Sequence, residues 1–188
     1  EDWLAQKRKA PVRVRVPQRG PSRRHIELAT ENARLGAQAA QEQSAERGDA
    51  AERLMELCAL EAPPLCIHCI DVSTTQGRET VASRVAFVDG APDKSAYRRF
   101  RIADEHAGDD FAAMEEAVGR SLRLCQEAVD DRLPDLLVVD GGRGQLAAAL
   151  RAATAIGLRD DVPIVGLAKS RLRGLGDARA RSAERLVR

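Results

Sequence analysis

Aromatic residues are scarce in this chain. One Trp, one Tyr and three Phe make up 3% of its 188 residues. A core must therefore be built from Ala, Leu, Val and Ile, within a hydrophobic content of 44%. No apolar run is long enough to span a bilayer, and no basic-then-apolar leader opens the chain. Four cysteines (Cys58, Cys66, Cys69, Cys125) set no disulfide framework at this length. Cys66 and Cys69 have C-x-x-C spacing, yet no second ligand pair completes a zinc site. In a strand, positions three apart point to opposite faces. Both cysteines therefore read as small packed hydrophobes, and a reducing cytoplasm is expected. A net charge of one sign is also missing: 30 Lys and Arg stand against 29 Asp and Glu, giving +1. Bulk charge thus gives no argument for nucleic acid.

The distribution of charge does give one. Lys7 to Arg24 holds eight basic residues and no acid. Arg98, Arg99 and Arg101 form a second cluster. Lys169 to Arg188 holds seven basic and two acidic residues. Basic patches on a near-neutral chain fit a surface that tracks phosphates.

The hydrophobic pattern divides the chain. Residues 1–62 read as a lead-in. A short helix opens it, and a strand follows over Pro11–Pro17, where Val12, Val14 and Val16 alternate with arginines. A helix is expected from Arg23 to about Glu46 after Ser22 as N-cap. A second helix, opened by an Asp49–Glu52 capping box, runs through Cys58. Residues 63–170 form the main domain. Strands are expected from Leu65, over Val81–Asp89 and over Lys94–Ile102, joined by short turns as an antiparallel meander. A helix from Phe111 to about Asp130 buries Phe111, Met114, Val118, Leu122 and Cys125. A strand over Asp135–Val139, a helix over Gln145–Ile156 and a strand over Val162–Leu167 complete it. Residues 171–188 read as an irregular Arg-rich segment. The fold class is α/β. Three antiparallel strands followed by alternating helix and strand is the element order of the ribonuclease H-like mixed sheet, here preceded by a helical arm.

Two strands end in carboxylates. Ile67, Cys69 and Asp71 share one strand face, and so do Leu136, Val138 and Asp140. If the strands are neighbours, Asp71 and Asp140 face each other. Such a pair repels unless a proton or cation lies between, and oxygen ligands suit Mg²⁺ or Mn²⁺. That outlines a metal-dependent phosphodiester nuclease. Asp110, beside Asp109, is expected at a helix N-terminus, where either acid could cap. The Gly141-Gly142-Arg143-Gly144 turn fits neither G-x-G-x-x-G nor P-loop spacing. Tight-turn geometry beside Asp140 is its expected use.

Spaced motifs carry more. Cys69-Ile70-Asp71-Val72-Ser73 with Gln76-Gly77, Asp89-Gly90 with Pro92, Tyr97-Arg98-Arg99-Phe100, Gly108-Asp109-Asp110-Phe111 and Val139-Asp140-Gly141-Gly142 with Gly144-Gln145-Leu146 stand in this order. With Gly166-Leu167-Ala168-Lys169 they resemble the C-terminal nuclease region of the UvrC family. UvrC proteins are the incision subunits of bacterial nucleotide excision repair. The resemblance implies a ribonuclease H-like fold and a 5′ incision in damaged double-stranded DNA. It implies UvrB as partner, with UvrA upstream, acting through the full-length protein. It makes Asp71 and Asp140 catalytic metal ligands and Asp110 a third acidic position. Arg98, Arg99, Arg143 and Lys169 are candidates for DNA contact. The family also uses a histidine that the resemblance puts beyond Arg188, along with a helix-hairpin-helix pair. His25, His68 and His106 do not match it.

Two rivals remain open. One is a catalytically inactive module that binds duplex DNA through its basic patches. The other is a nucleotide-binding α/β domain using Asp140 to Gln145. Because the family's histidine is expected outside this stretch, the chain as given should nick a lesion-bearing duplex weakly or not at all with Mn²⁺. A version extended at its C-terminus should nick faster in the same assay.

Overall fold

The computed structural model describes residues 2–75, 79–106, 108–128, 131–169 and 184–188. Two compact units divide the chain, 1–46 and 47–188. In the first, α1 (Asp2–Arg8) ends at Lys9, whose φ is +54°, and residues 11–18 carry no regular structure. The strand expected from the Val12–Val16 alternation does not form. A strand needs a neighbour to take up its N–H and C=O groups, and none pairs with it among the described residues.

The helix α2 (Pro21–Cys58) is continuous, with Gly48 inside it. The expected break at Gly48 is absent, and Asp49 and Glu52 lie mid-helix rather than in a capping box. A single interior glycine costs only about 1 kcal/mol. Long runs of Ala, Glu, Gln and Arg on both sides outweigh that. Exposed pairs one turn apart add support, as between Arg23 and Glu27 at 2.8 Å. Among the described residues no helix is long and apolar enough to cross a membrane.

The second unit is a seven-stranded mixed sheet. Strands β1 (Cys66–Thr75) and β2 (Glu79–Val88) pair antiparallel over their full length. The third strand expected over Lys94–Ile102 shortens to β4 (Arg98–Arg101), and a two-residue strand β3 (Ala91–Pro92) forms ahead of it; both pair with β2. Asp93 lies between them. Its Oδ1 accepts from the Ser95 amide at 3.0 Å and caps a 3-10 turn over Lys94–Ala96. Then follow α3 (Asp110–Glu127), β5 (Leu136–Asp140), α4 (Arg143–Ala155) and β6 (Ile164–Lys169). β5 lies parallel to both β1 and β6. The segment expected to be irregular contributes β7 (Glu184–Val187), antiparallel to β6. The sheet therefore extends past residue 170, and the second unit begins at Arg47 rather than near residue 63.

Each face of the sheet has its own core. Ile70, Ala82, Phe100, Leu137 and Val139 pack under α3 and α4 with Met114, Val118, Leu122 and the alanines of α4. Of the stripe expected on α3, Phe111 is the exception: it is 48% exposed. On the other face Leu136 and Val165 are buried with Cys58, and Leu54, Leu60, Ile67, Val138 and Leu186 pack against them.

Asp135 sets the register between β1 and β5. Its Oδ2 accepts from the Leu65 and Cys66 amides at 3.0 and 2.7 Å, and its own N–H donates to the Cys66 carbonyl at 2.8 Å.

A buried ion pair fixes α3 to the sheet. The side chains of Arg84 on β2 and Asp131 are 0% and 1% exposed, and Arg84 Nη2 donates to both carboxylate oxygens, Oδ2 at 2.7 Å and Oδ1 at 2.8 Å. Arg84 also donates to the Ala96 carbonyl at 2.8 Å and to Ser121 Oγ and Cys125 Sγ of α3, both at 3.3 Å. Every arm of the guanidinium is occupied, which is what makes burial of the charge tolerable. Asp131→Ala would leave that cation in the interior without its carboxylate. We expect a loss of about 3–5 kcal/mol in urea unfolding, whereas Glu27→Ala on α2 should scarcely move the midpoint.

Candidate active site

The parallel register of β1 with β5 pairs Cys69 with Val138 and Ile70 with Val139. One residue further along each strand come Asp71 and Asp140. Both belong to the alternation that carries Ile67, Cys69, Leu136 and Val138, so both stand on the sheet face away from α3 and α4. They line one cavity of about 460 Å³ together with Cys69, Ser83, Val85, Val138 and Leu167. The lower part of this face is covered by Leu54, Cys58 and Leu60. The acids lie beyond that cover, Asp71 exposed and Asp140 half-buried.

Local contacts orient them. Ser73, two residues along the same face, donates its hydroxyl to Asp71 Oδ2 at 3.0 Å. Ser83 is the antiparallel partner of Asp71 on β2. After Asp140 the chain turns sharply into α4. Gly141 and Gly142 do not take a positive φ, so left-handed conformation is not what selects them. Close approach is the reason at Gly141, where a Cβ would fall 2.6 Å from Gln145 Cβ. Gly166 on β6 is needed likewise, since a Cβ there would meet the Gly141 carbonyl at 2.8 Å.

Asp110 is an exposed residue in the first turn of α3 and lies outside this cavity. The cap is Asp109, whose Oδ1 accepts from the Phe111 and Ala112 amides at 2.9 and 3.0 Å. Those amides hold its carboxyl below the usual carboxylate range. The ring of Phe111 rests on Gly144, so the N-terminus of α3 meets that of α4 just beyond Asp140. Among the described residues no three His, Cys, Asp or Glu side chains gather closely enough to hold a metal ion.

The basic candidates separate. Arg98 shares the α3 side of the sheet with Phe100 and Arg84. Its Nη2 lies 3.2 Å from Asp131 Oδ2, and its Nη1 donates to the Ser95 and Tyr97 carbonyls. Arg98 is thus bound into the Arg84–Asp131 pair, on the face opposite the acids. Arg99, one residue on, is exposed and projects to the acid side, paired in register with Ser83. Arg143 is the exposed first residue of α4. Lys169 is the last residue of β6, paired with Glu184, and its side chain lies outside the described set, as do Gln76 and Gly77 altogether.

His68 is 1% exposed on the α3 side, with Nδ1 unpartnered. Burial first, then the Arg84 charge, pushes it down to about 4, so it is a neutral packed residue at pH 7. Burial pushes the Cys69 thiol up to about 11, keeping it protonated on the cavity wall.

Family models decide the relationship. The model for the UvrC RNAse H endonuclease domain matches residues 55–187, and that for the UvrC ribonuclease H-like domain matches residues 1–40. The chain belongs to the UvrC family. UvrABC system protein C of Trichlorobacter lovleyi is 43% identical over 180 residues, covering 94% of this chain and 29% of that protein. The Hydrogenovibrio crunogenus protein is 39% identical over 177 residues, covering 94% and 28%. The chain thus spans under a third of the length of these relatives. Among solved structures, Ciona intestinalis Endonuclease V with a 23mer DNA containing an inosine is similar at a TM-score of 0.44 and 16% identity, over 74% of this chain and 63% of that one.

In this UvrC domain the donor set suits a hard divalent ion. Two carboxylates on adjacent strands are acceptor-only oxygen ligands. Mg²⁺ commonly takes one or two such groups and completes its shell with water and substrate phosphate. Sequence reasoning missed Arg84, Asp131 and Asp135. Nothing local marks them, because each acts across strands or on a distant loop.

The division of labour between Asp109 and Asp110 can be read in thermal melting. Asp109→Ala, which removes the cap, should lower Tm by about 2–4 °C. Asp110→Ala removes no hydrogen bond and should shift it less.

Proposed function

We propose that this UvrC domain hydrolyses a phosphodiester of damaged double-stranded DNA with Mg²⁺ or Mn²⁺, making the 5′ incision of bacterial nucleotide excision repair. The neighbouring placement of Asp71 and Asp140 on one open sheet face carries this reading. Asp71 and Asp140 would hold the metal. When bound, a divalent ion lowers the pKa of an attacking water and offsets charge on the phosphoryl group and the leaving 3′ oxygen.

The chain's own residues do the rest. Ser73 fixes the rotamer of Asp71. The tight Asp140–Gly142 turn and the close packing of Gly166 under it hold Asp140 at the strand end. Cys69, Val85, Val138 and Leu167 give the cavity apolar walls, which strengthen charge interactions inside it. A DNA strand can approach along the uncovered face. UvrB, with UvrA upstream, would bring the lesion to the domain through the full-length protein.

A second reading has one observation in its favour. Only two carboxylates meet in the cavity among the described residues, which suits a module that binds duplex DNA without cutting it.

Nicking of a lesion-bearing duplex in Mn²⁺ and Mn²⁺ titration by EPR separate the two. In the version extended at its C-terminus, Asp71→Asn and Asp140→Asn should each lower nicking by more than about 100-fold, beyond the cost of losing an outer-shell partner. The double variant should lose the bound ion. Cutting or tight Mn²⁺ binding that survives the double change overturns the proposal. Duplex binding with neither cutting nor a cation site in the wild type favours the module.

A further inference from the structure

The acids are part of a row that crosses five of the seven strands. Asp140 on β5 pairs with Leu167 on β6, and Asp71 on β1 pairs with Ser83 on β2. Ser83 pairs in turn with Arg99 on β4. These five residues lie at one level on one face, ordered Leu167, Asp140, Asp71, Ser83, Arg99. With strands about 4.8 Å apart, Arg99 starts about 10 Å from Asp71, and its long side chain can span part of that distance.

Burial along β4 alternates, with Phe100 buried between exposed Arg99 and Arg101. Arg98 is drawn to the opposite face by Asp131. Among the described residues Arg99 has no acidic partner. A guanidinium without an acid among the described residues, two strands from a pair of carboxylates in the same row, has a defined complement: an anion beside, not at, the acid pair.

We propose that Arg99 binds a backbone phosphate of the same DNA strand, next to the phosphodiester held at Asp71 and Asp140, and that the strand runs along this row, across the β-strands. The proposal rests on the nuclease reading and adds to it the path of the bound strand. Arg99 is a positioning residue. Its planar fork gives two parallel N–H donors to non-bridging oxygens. Ser83 lies between, where its hydroxyl can face the sugar–phosphate link. Arg98, adjacent in sequence and equal in charge, is a structural residue and contributes no phosphate contact.

The salt dependence of binding tests this. The probe is an undamaged DNA duplex of about 20 base pairs, titrated with the chain in Ca²⁺ between 50 and 200 mM salt, conditions in the range where such slopes are read. Arg99→Ala should reduce the slope of log K against log salt by about 0.9, the share of one phosphate contact, at unchanged Tm. Arg99→Lys keeps the charge and should restore most of the slope. Arg98→Ala should leave the slope as in the wild type and lower Tm, because Asp131 loses a partner. An Arg99→Ala chain that stays folded, binds the duplex and keeps the full slope overturns the proposal while leaving the metal site intact. A wild-type chain without salt-dependent affinity for the duplex also overturns it, whereas loss of the Mn²⁺ site alone counts only against the nuclease reading.

Discussion

The parallel pairing of β1 with β5 is the constraint on which this molecule depends. Side chains along a strand alternate between faces, so slippage by one residue would move every one to the other side. Here the slip would place Asp140 under α4, in the alanine-lined core, and would expose Val139. The register is held at its base by Asp135, which ties the first residues of β1 by three hydrogen bonds. Four paired positions later the same register brings Asp71 and Asp140 level. A backbone clamp at one end of two strands thus determines the chemistry at the other.

The two faces of the sheet have opposite tasks. On the α3 side the charges are drawn together. Arg84, Arg98 and Asp131 satisfy each other and the Ala96 carbonyl, and His68 is neutral because burial opposes its protonation. On the other side Asp71 and Arg99 are exposed and Asp140 is half-buried at the cavity. A sheet with one sealed polar network and one open polar row can stay folded while presenting carboxylates to a polyanion. On the proposed nuclease reading, repulsion between those carboxylates and phosphate is a reason for a divalent ion, and for a cation such as Arg99 further along the row.

Glycine at the site works through proximity. Gly166 lets the Asp140–Gly142 turn settle onto β6, and Gly144 makes room for the ring of Phe111. The second contact joins the starts of α3 and α4. It explains why Phe111, which the helical period places in the buried stripe, instead lies exposed at a junction. Asp109 meanwhile takes the capping role, which leaves the Asp110 carboxylate at the surface of that junction with no backbone amide to serve.

What the sequence determined by itself was whatever depends on period and spacing. Alternation in Cys66–Val72 and Leu136–Asp140 gave two strands and the side of each on which its acid stands. The 3.6-residue stripe gave α3, and the ordered motifs gave the UvrC kinship. What only the tertiary structure decided was whatever depends on partners far along the chain. Val12–Val16 alternates as a strand does but joins no sheet among the described residues. Gly48 reads as a break but lies in a helix that its flanks sustain. β7 is recognisable only because β6 offers it an edge. Arg98 and Arg99 are indistinguishable as letters. One is drawn to Asp131 and the other is turned toward Ser83, because strand geometry alternates side chains and only the assembled sheet shows what waits on each face.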